Sequence, residues 1–287
     1  MKTIQREGIH LGMPTLRSLL PTMRRCELLD LRQQCRDFHR QHARTLTHRL
    51  KWHEPGTVWA VDHAMPPAPV NGSMRSVLAV RDLASGFQLA WLPVQDATAQ
   101  VAIDALRPLI DLHGPPLVLK SDNGSAFKGE LFSGVLREHQ IVHLKSPPCT
   151  PWYNGACEAS IGAMRIRTQH FAEQSGRSTQ WSAADFDAAL YQANEVHRRE
   201  SDPYRSAKQR WTARRKMSEE DRKQFSTLIA GHRQASWNER AHHDSGHTDQ
   251  TAQRKAIAQA LVDLGLLTLS RRSIHLPINH SRLARFS

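Results

Sequence analysis

Three carboxylates stand where their types and spacing could do chemistry. Asp62 follows the apolar run Thr57-Val58-Trp59-Ala60-Val61, and Asp122 follows a second run, Leu117-Val118-Leu119-Lys120-Ser121. Glu158 falls about one turn into a segment of helical character beginning near Asn154. Between Asp62 and Asp122 lie 59 residues, and between Asp122 and Glu158 lie 35. If the two runs are neighbouring strands and the helix crosses near their ends, the three side chains converge. Converging anions disfavour joint ionisation. A divalent cation removes that conflict, and hard oxygen ligands select Mg²⁺ or Mn²⁺ over zinc. Two such ions suit in-line displacement at phosphorus, one serving the attacking oxygen and the other the leaving oxygen.

The elements that must position these groups show in the patterning. Residues 57–62, 76–81 and 87–92 are short β-type runs, and the turn sequence Asp82-Leu83-Ala84-Ser85-Gly86 links the second to the third. Three such strands predict an antiparallel meander. Ala102, Leu106 and Leu109 share one face of a predicted helix over 97–113, which Gly114-Pro115-Pro116 ends. A buried-type strand at 117–120, a short helix at 130–138 and a fifth strand at 141–144 follow. A Pro-rich loop spans 146–151, and two helices are predicted over 154–174 and 182–199. The order describes an α/β fold, a mixed five-stranded sheet with helices packed on it.

Charge divides the chain into three. Residues 1–53 carry 11 Lys and Arg against 4 Asp and Glu, residues 54–200 carry 12 against 15, and residues 201–287 carry 16 against 8. Basic arms around a slightly acidic centre recruit polyanions, of which nucleic acid is the commonest. The first arm reads as helix over 14–50 with a break near Pro21, and Arg32, Arg36, Arg40 and Arg44 recur every four residues on one face. That face either lies along a phosphate backbone or is simply solvated. After Pro203 the chain reads as helical and basic, with Ser218 as an N-cap, a His-rich linker over 237–250 and a helix over 252–264 stopped by Gly265. Leu266–Leu269 and Ser273–Leu276 suggest a hairpin turning at Arg271-Arg272. This tail could be a winged module on DNA or a stub packed on the core. The expected division is 1–53, a basic helical arm; 54–204, a catalytic core; and 205–287, a basic C-terminal region.

The four cysteines form no C-x-x-C pair, which argues against a zinc knuckle or a disulfide-built fold and fits a reducing cytosol. No apolar stretch is long enough to span a bilayer, and no signal-peptide core follows Met1, so a cytoplasmic protein without membrane contact is expected. Arg165, seven residues after Glu158, and Lys145, before the Pro-rich loop, could each clamp a phosphate or remain solvated. Trp152 and Tyr153 read as anchors of their loop rather than as platforms for an unpaired base. His242, His243 and His247 read as loop residues, and Cys157 as a packing residue.

Val61-Asp62, Ser121-Asp122-Asn123-Gly124-Ser125-Ala126-Phe127 and Tyr153-Asn154-Gly155-Ala156-Cys157-Glu158 resemble the three acidic motifs of DDE transposases and retroviral-type integrases. The 35-residue gap matches the family's D,D-35-E pattern, and the resemblance spans about residues 55–204. The texture is closest to bacterial insertion-sequence transposases with an integrase core. The resemblance implies an RNase H-like core in which Asp62, Asp122 and Glu158 are the catalytic, metal-holding residues, with Mg²⁺ or Mn²⁺, in two ions, as cofactor. It implies water-driven cutting of a phosphodiester at an element end, followed by attack of the freed 3′-OH on target DNA. The partners are then DNA and further copies of the chain, a dimer or larger assembly, in the bacterial cytoplasm at the nucleoid. A metal-dependent nuclease of RNase H type, or an inactive DNA-binding remnant of a mobile element, is the alternative. The His-His-Cys-Cys zinc module of the retroviral branch is not expected here, since His39, His42 and His48 have no C-x-x-C beside them.

Overall fold

A computed structural model describes residues 47–146, 155–242 and 249–272. The chain divides into two compact units, Leu50–Thr268 and a second of Met1–Arg49 with Leu269–Ser287, and most of the second lies outside the described residues. The larger unit is built on strands β2 (Val58–Ala64), β3 (Ser76–Asp82), β4 (Gln88–Val94), β5 (Val118–Ser121) and β6 (Val142–Lys145), while β1 (Thr47–Trp52) precedes them. Helix α1 (Ala99–His113) joins β4 to β5, and α2 (Glu130–Glu138) joins β5 to β6. Then come α3 (Gly155–Gln174), α4 (Ala183–Tyr191), a π-helical turn at Gln192–Val196, β7 (Arg198–Arg199) and β8 (Asp202–Ser206). Helices α5 (Ala207–Thr212), α6 (Glu219–His242) and α7 (Asp249–Asp263) and strand β9 (Leu267–Arg272) complete the described chain.

The five-stranded sheet has the order β4-β3-β2-β5-β6. The meander β2-β3-β4 is antiparallel, and β2-β5 and β5-β6 are parallel. A strand covered on both faces reads as a near-continuous apolar run. Val58, Trp59, Ala60 and Val61 of β2 and Val118 and Leu119 of β5 are accordingly buried, and Lys120 and Ser121 are buried after them. Alternation sends Trp59, Val61, Leu78, Val80 and Leu119 to one face, where α1 and α2 supply Ile103, Leu106, Phe132 and Leu136. The other face is covered twice. Near one end, Ala64, Val77, Ala79 and Trp91 pack on Met164 and Ala172 of α3 and on Phe186 and Ala189 of α4. Toward the other, Val58, Ala60, Val118 and Leu144 pack on Phe225 and Ile229 of α6 and on Ile257 and Leu261 of α7. The described part of the 205–287 region therefore contributes three helices to the core of this unit, α6 and α7 on this face and α5, through Trp211, on the other.

Local chemistry sets the boundaries. The Thr98 side chain accepts from Val101 N (3.3 Å) to start α1, and Gly114 at φ 81° ends it. Ser182 and Asp185 form a capping box on α4, braced by Arg177, whose guanidinium lies 2.8 Å from the Asp185 carboxylate. Asp82, fully buried, organises the β3–β4 turn by accepting from Ser85 N (2.6 Å), Ser85 Oγ (2.6 Å) and Gly56 N (2.8 Å). Asp82→Ala leaves those donors without their acceptor, and we expect a loss of about 3 kcal/mol in urea unfolding. A change below about 0.5 kcal/mol, the scale of an ordinary surface substitution, would show that the turn does not depend on this carboxylate.

Several sequence expectations need correction. Residues 47–50 are strand, not the end of an arm helix, because β1 pairs with β9, more than two hundred residues away. The helix expected over 182–199 stops at Tyr191, and the wide turn after it swings Asn194 inward. There the Asn194 amide bonds both the N–H and the C=O of Gln88, each at 2.9 Å, as a neighbouring strand would. The stretch after Pro203, read as helical, begins instead within β8 (Asp202–Ser206), which pairs with β7. Of the linker expected over 237–250, residues 237–242 continue α6 and 249–250 begin α7. Arg271 and Arg272 extend β9 instead of turning a hairpin. The arm helix with Arg32, Arg36, Arg40 and Arg44, the Pro-rich loop with Trp152 and Tyr153, His243, His247 and the 273–276 strand lie outside the described residues.

Candidate active site

The β2–β5 register pairs Val61 with Ser121, so Asp62 and Asp122 are the next residues on adjacent parallel strands. Alternation places Asp62 in the row of Ala60 and Ala64, and Asp122 in the row of Val118 and Lys120. Both rows face α3. Glu158 sits in the first turn of that helix, beside Cys157, which is buried in the same cluster as Ala60, Val118 and Leu144. Sheet register thus sets the first two carboxylates side by side, and helix packing brings the third over the same face.

The turn after β5 is tightly held. Asp122 Oδ1 accepts from Gly124 N (2.8 Å), and a Cβ at position 124 would stand 2.9 Å from that oxygen, so any side chain there would displace the Asp122 carboxylate. Asn123 Nδ2 donates to Ser146 O (2.6 Å), and Ser146 Oγ donates to Ser121 O (3.0 Å), tying the end of β5 to the end of β6. Ser121 Oγ meets His143 Nε2 at 2.8 Å. Burial, then the charge of Lys145, push His143 down to about 4, which keeps that imidazole neutral.

The electrostatics are those of crowded anions. Asp62 is pushed up to about 6, first by burial, then by the charge of Asp122 and, less strongly, by Glu158, against the N–H of His63 at 2.7 Å. Lys120 lies beneath them, 2% exposed. Burial pulls its ammonium down to about 8, opposed by Cys157 and Glu158. Burial and then Asp62 push the Cys157 thiol up to about 12, so it stays protonated and packs rather than attacks.

Among the described residues, no three His, Cys, Asp or Glu side chains are gathered closely enough to hold a metal ion as they stand. The donor chemistry nevertheless fits a hard divalent cation: two carboxylates side by side on neighbouring parallel strands, a third within electrostatic range, and an Asp62 that burial and its two acidic neighbours oppose as an anion. Glu158 is exposed on α3, which begins directly after the undescribed stretch 147–154.

Arg165 is exposed two turns along α3 from Glu158, on the same side of the helix. Lys145 ends β6 opposite Ser121, which puts it in the row of Ser121, across the sheet from the row of Asp122. Sequence reading missed Lys120 as part of the site, although a lysine inside an apolar run just ahead of an aspartate is a visible signal. It also missed Arg81, whose Nη1 donates to Ala156 O (3.2 Å) at the start of α3.

Residues 53–151 match the integrase core domain family, a span that includes Asp62 and Asp122 and ends before Glu158. Its mixed five-stranded sheet with flanking helices is an RNase H-like α/β fold. Over 114 residues it is 29% identical to an uncharacterized protein of Caenorhabditis elegans, matching 40% of this chain and 9% of that one. Over 143 residues it is 28% identical to the Gag-Pro-Pol polyprotein of squirrel monkey retrovirus, 49% of this chain and 7% of the polyprotein. The chain thus spans less than a tenth of either relative. Among solved structures, a chain of the simian T-cell lymphotropic virus intasome shares the fold with a TM-score of 0.50 at 18% identity, over 62% of this chain and 64% of that one. No helix among the described residues is long and apolar enough to cross a membrane.

Proposed function

We propose that the chain is a transposase of integrase type, which cuts DNA at an element end and joins the freed 3′-OH to target DNA. The observation that carries this reading is the adjacency of Asp62, within β2, and Asp122, directly after β5 on the neighbouring parallel strand, with Glu158 on the helix that crosses the same face. In this reading Asp62, Asp122 and Glu158 hold Mg²⁺ or Mn²⁺, two ions in the working complex. Bound there, the cations activate the attacking oxygen and offset charge on the leaving one. The chain's own groups do the rest. The Asn123–Ser146 bond fixes the position of Asp122, and buried Lys120 offsets negative charge beneath the carboxylates. No serine or tyrosine nucleophile is needed, since water and then a DNA hydroxyl attack directly. Arg165 contacts a phosphate flanking the cut, whereas Lys145, on the opposite face of the sheet from Asp122, is left out of this contact. Joining two ends calls for at least two copies on DNA. An insertion-sequence origin and work at the bacterial nucleoid belong to the same reading.

The reading is tested with a duplex whose 3′-OH is already exposed, incubated with plasmid target and Mg²⁺. Covalent donor–target products are expected. Cut target with no joined donor would establish the nuclease instead, and neither product alongside DNA binding would mark an inactive remnant. The basic arms give a second expectation. Replacing Arg32, Arg36, Arg40 and Arg44 by Gln removes up to four phosphate contacts, which should lower the slope of log affinity against log salt by about 3. An unchanged slope would mean that this face does not touch DNA.

A further inference from the structure

On the far flank of α3 from Glu158, four arginines converge on a cavity of about 250 Å³: Arg81 from β3, Arg167 from α3, Arg199 from β7 and Arg210 from α5, with His197 beside them. Three of the arginines are held in place chiefly by backbone carbonyls, and among the described residues only Arg210 of the four has a carboxylate partner, at 3.4 Å. Backbone carbonyls receive Arg81 Nη1 (Ala156 O, 3.2 Å), Arg199 Nη1 (Ala84 O, 2.9 Å) and Arg210 Nε (Ser85 O, 3.0 Å). Of the neighbouring acids, Asp82 is engaged by Ser85 and Gly56, and Asp202 is shared between Arg205 (3.0 Å) and Arg210 (3.4 Å). Arg81 Nε is buried and has no hydrogen-bond partner.

The cavity is also built to its shape. Gly86, at φ 78°, faces two guanidinium groups: a Cβ there would collide with that of Arg199 and stand 3.0 Å from Arg81 Nη2. The back wall is fixed by Gln88 Nε2 donating to Ser160 Oγ (2.9 Å). Like charges crowded at low solvent exposure oppose one another: Arg199 is pulled down to about 10, first by burial, then by Arg81 and Arg210. Arginine stays charged all the same, so the favourable partner is an anion with several acceptor oxygens, which planar guanidinium forks bind in pairs.

We propose that this cavity is a phosphate-group site, filled by a phosphate of the DNA backbone or by a free polyphosphate anion. The inference does not rest on strand transfer, since it concerns anion binding alone. The test is isothermal titration of the full chain with inorganic pyrophosphate, without divalent cations and at physiological salt. Saturable binding is expected, weakened at least about tenfold by Arg167→Gln and by Arg199→Gln, each of which removes a charge-assisted donor pair. Ligand-free melting curves confirm that both variants are folded. Competition with a short duplex then separates the sources: displacement of pyrophosphate assigns the site to the DNA backbone, and simultaneous binding assigns it to a free anion. Absence of saturable binding by the wild type, or unchanged binding in both folded variants, would overturn the proposal.

Discussion

Asp122→Asn should lower strand cleavage and strand joining together by about three orders of magnitude, the scale seen when one partner of developing transition-state charge is removed. The substitution is chosen for what it preserves. Asp122 Oδ1 accepts the Gly124 N–H, and an asparagine oxygen can accept the same bond. The Asn123–Ser146 bond that ties β5 to β6 is untouched. Only the negative charge is lost, and with it the affinity for a hard cation. DNA affinity should stay within about twofold, because sequence-independent binding comes from Lys and Arg on phosphate. Cleavage and joining are both measured, the latter with an exposed 3′ end, because one site serves both steps. A variant that joins normally would remove Asp122 from the catalytic set, and one that loses cleavage alone would break the single-site account.

Asp62→Asn should make the metal-free protein more stable at neutral pH. In the folded chain Asp62 titrates at about 6, raised from an ordinary 3.8 by burial and by Asp122 and Glu158. A carboxyl raised in the folded state favours folding while it is protonated. That contribution is complete below about pH 4, falls as pH rises through the window between 3.8 and about 6, and is gone above it. Allowing for the partial exposure of Asp62, the ionised group costs about 2 kcal/mol at pH 7.5. The asparagine variant should therefore melt several degrees higher at pH 7.5 and close to wild type at pH 4. Lower stability of the variant at pH 7.5 would mean that Asp62 is not held among opposing charges. The stabilising direction matters because a site assembled for a cation is expected to be strained without it.

What could be read from the residues follows from how local each cause is. The meander, α1 and α2 rest on short apolar runs and on turn sequences such as Asp82–Gly86 and Asp122–Gly124. These signals need no distant partner. The same locality marked Asp122 as the residue that ends its strand, whereas β2 runs past Asp62 to Ala64 because β3 pairs with it that far. The misread segments depend on contacts far along the chain. Residues 47–50 become strand only because β9 offers them a partner. The end of α4 is set by Asn194 reaching Gln88, 106 residues away. The arginine cavity gathers residues from β3, α3, β7 and α5, whose spacing in the sequence carries no common period. Lys120 is a different case: its place in an apolar run beside Asp122 was visible, and its burial to 2% exposure beneath the carboxylates is what the packing adds.

The central claim is that Asp62, Asp122 and Glu158 share one metal centre when the protein works. In the chain alone, no three such side chains among the described residues are gathered tightly enough for an ion. The account therefore requires Glu158 to draw in when DNA and cation are present. The direct measurement is a crystal structure of the DNA complex grown with Mn²⁺ and recorded at an energy where manganese scatters anomalously. The account predicts an anomalous peak bridging Asp62 and Asp122, with a Glu158 carboxylate oxygen among its ligands or those of a second ion beside it. A complex with DNA seated and no manganese between the aspartates, or with Glu158 directed away from both, would contradict it.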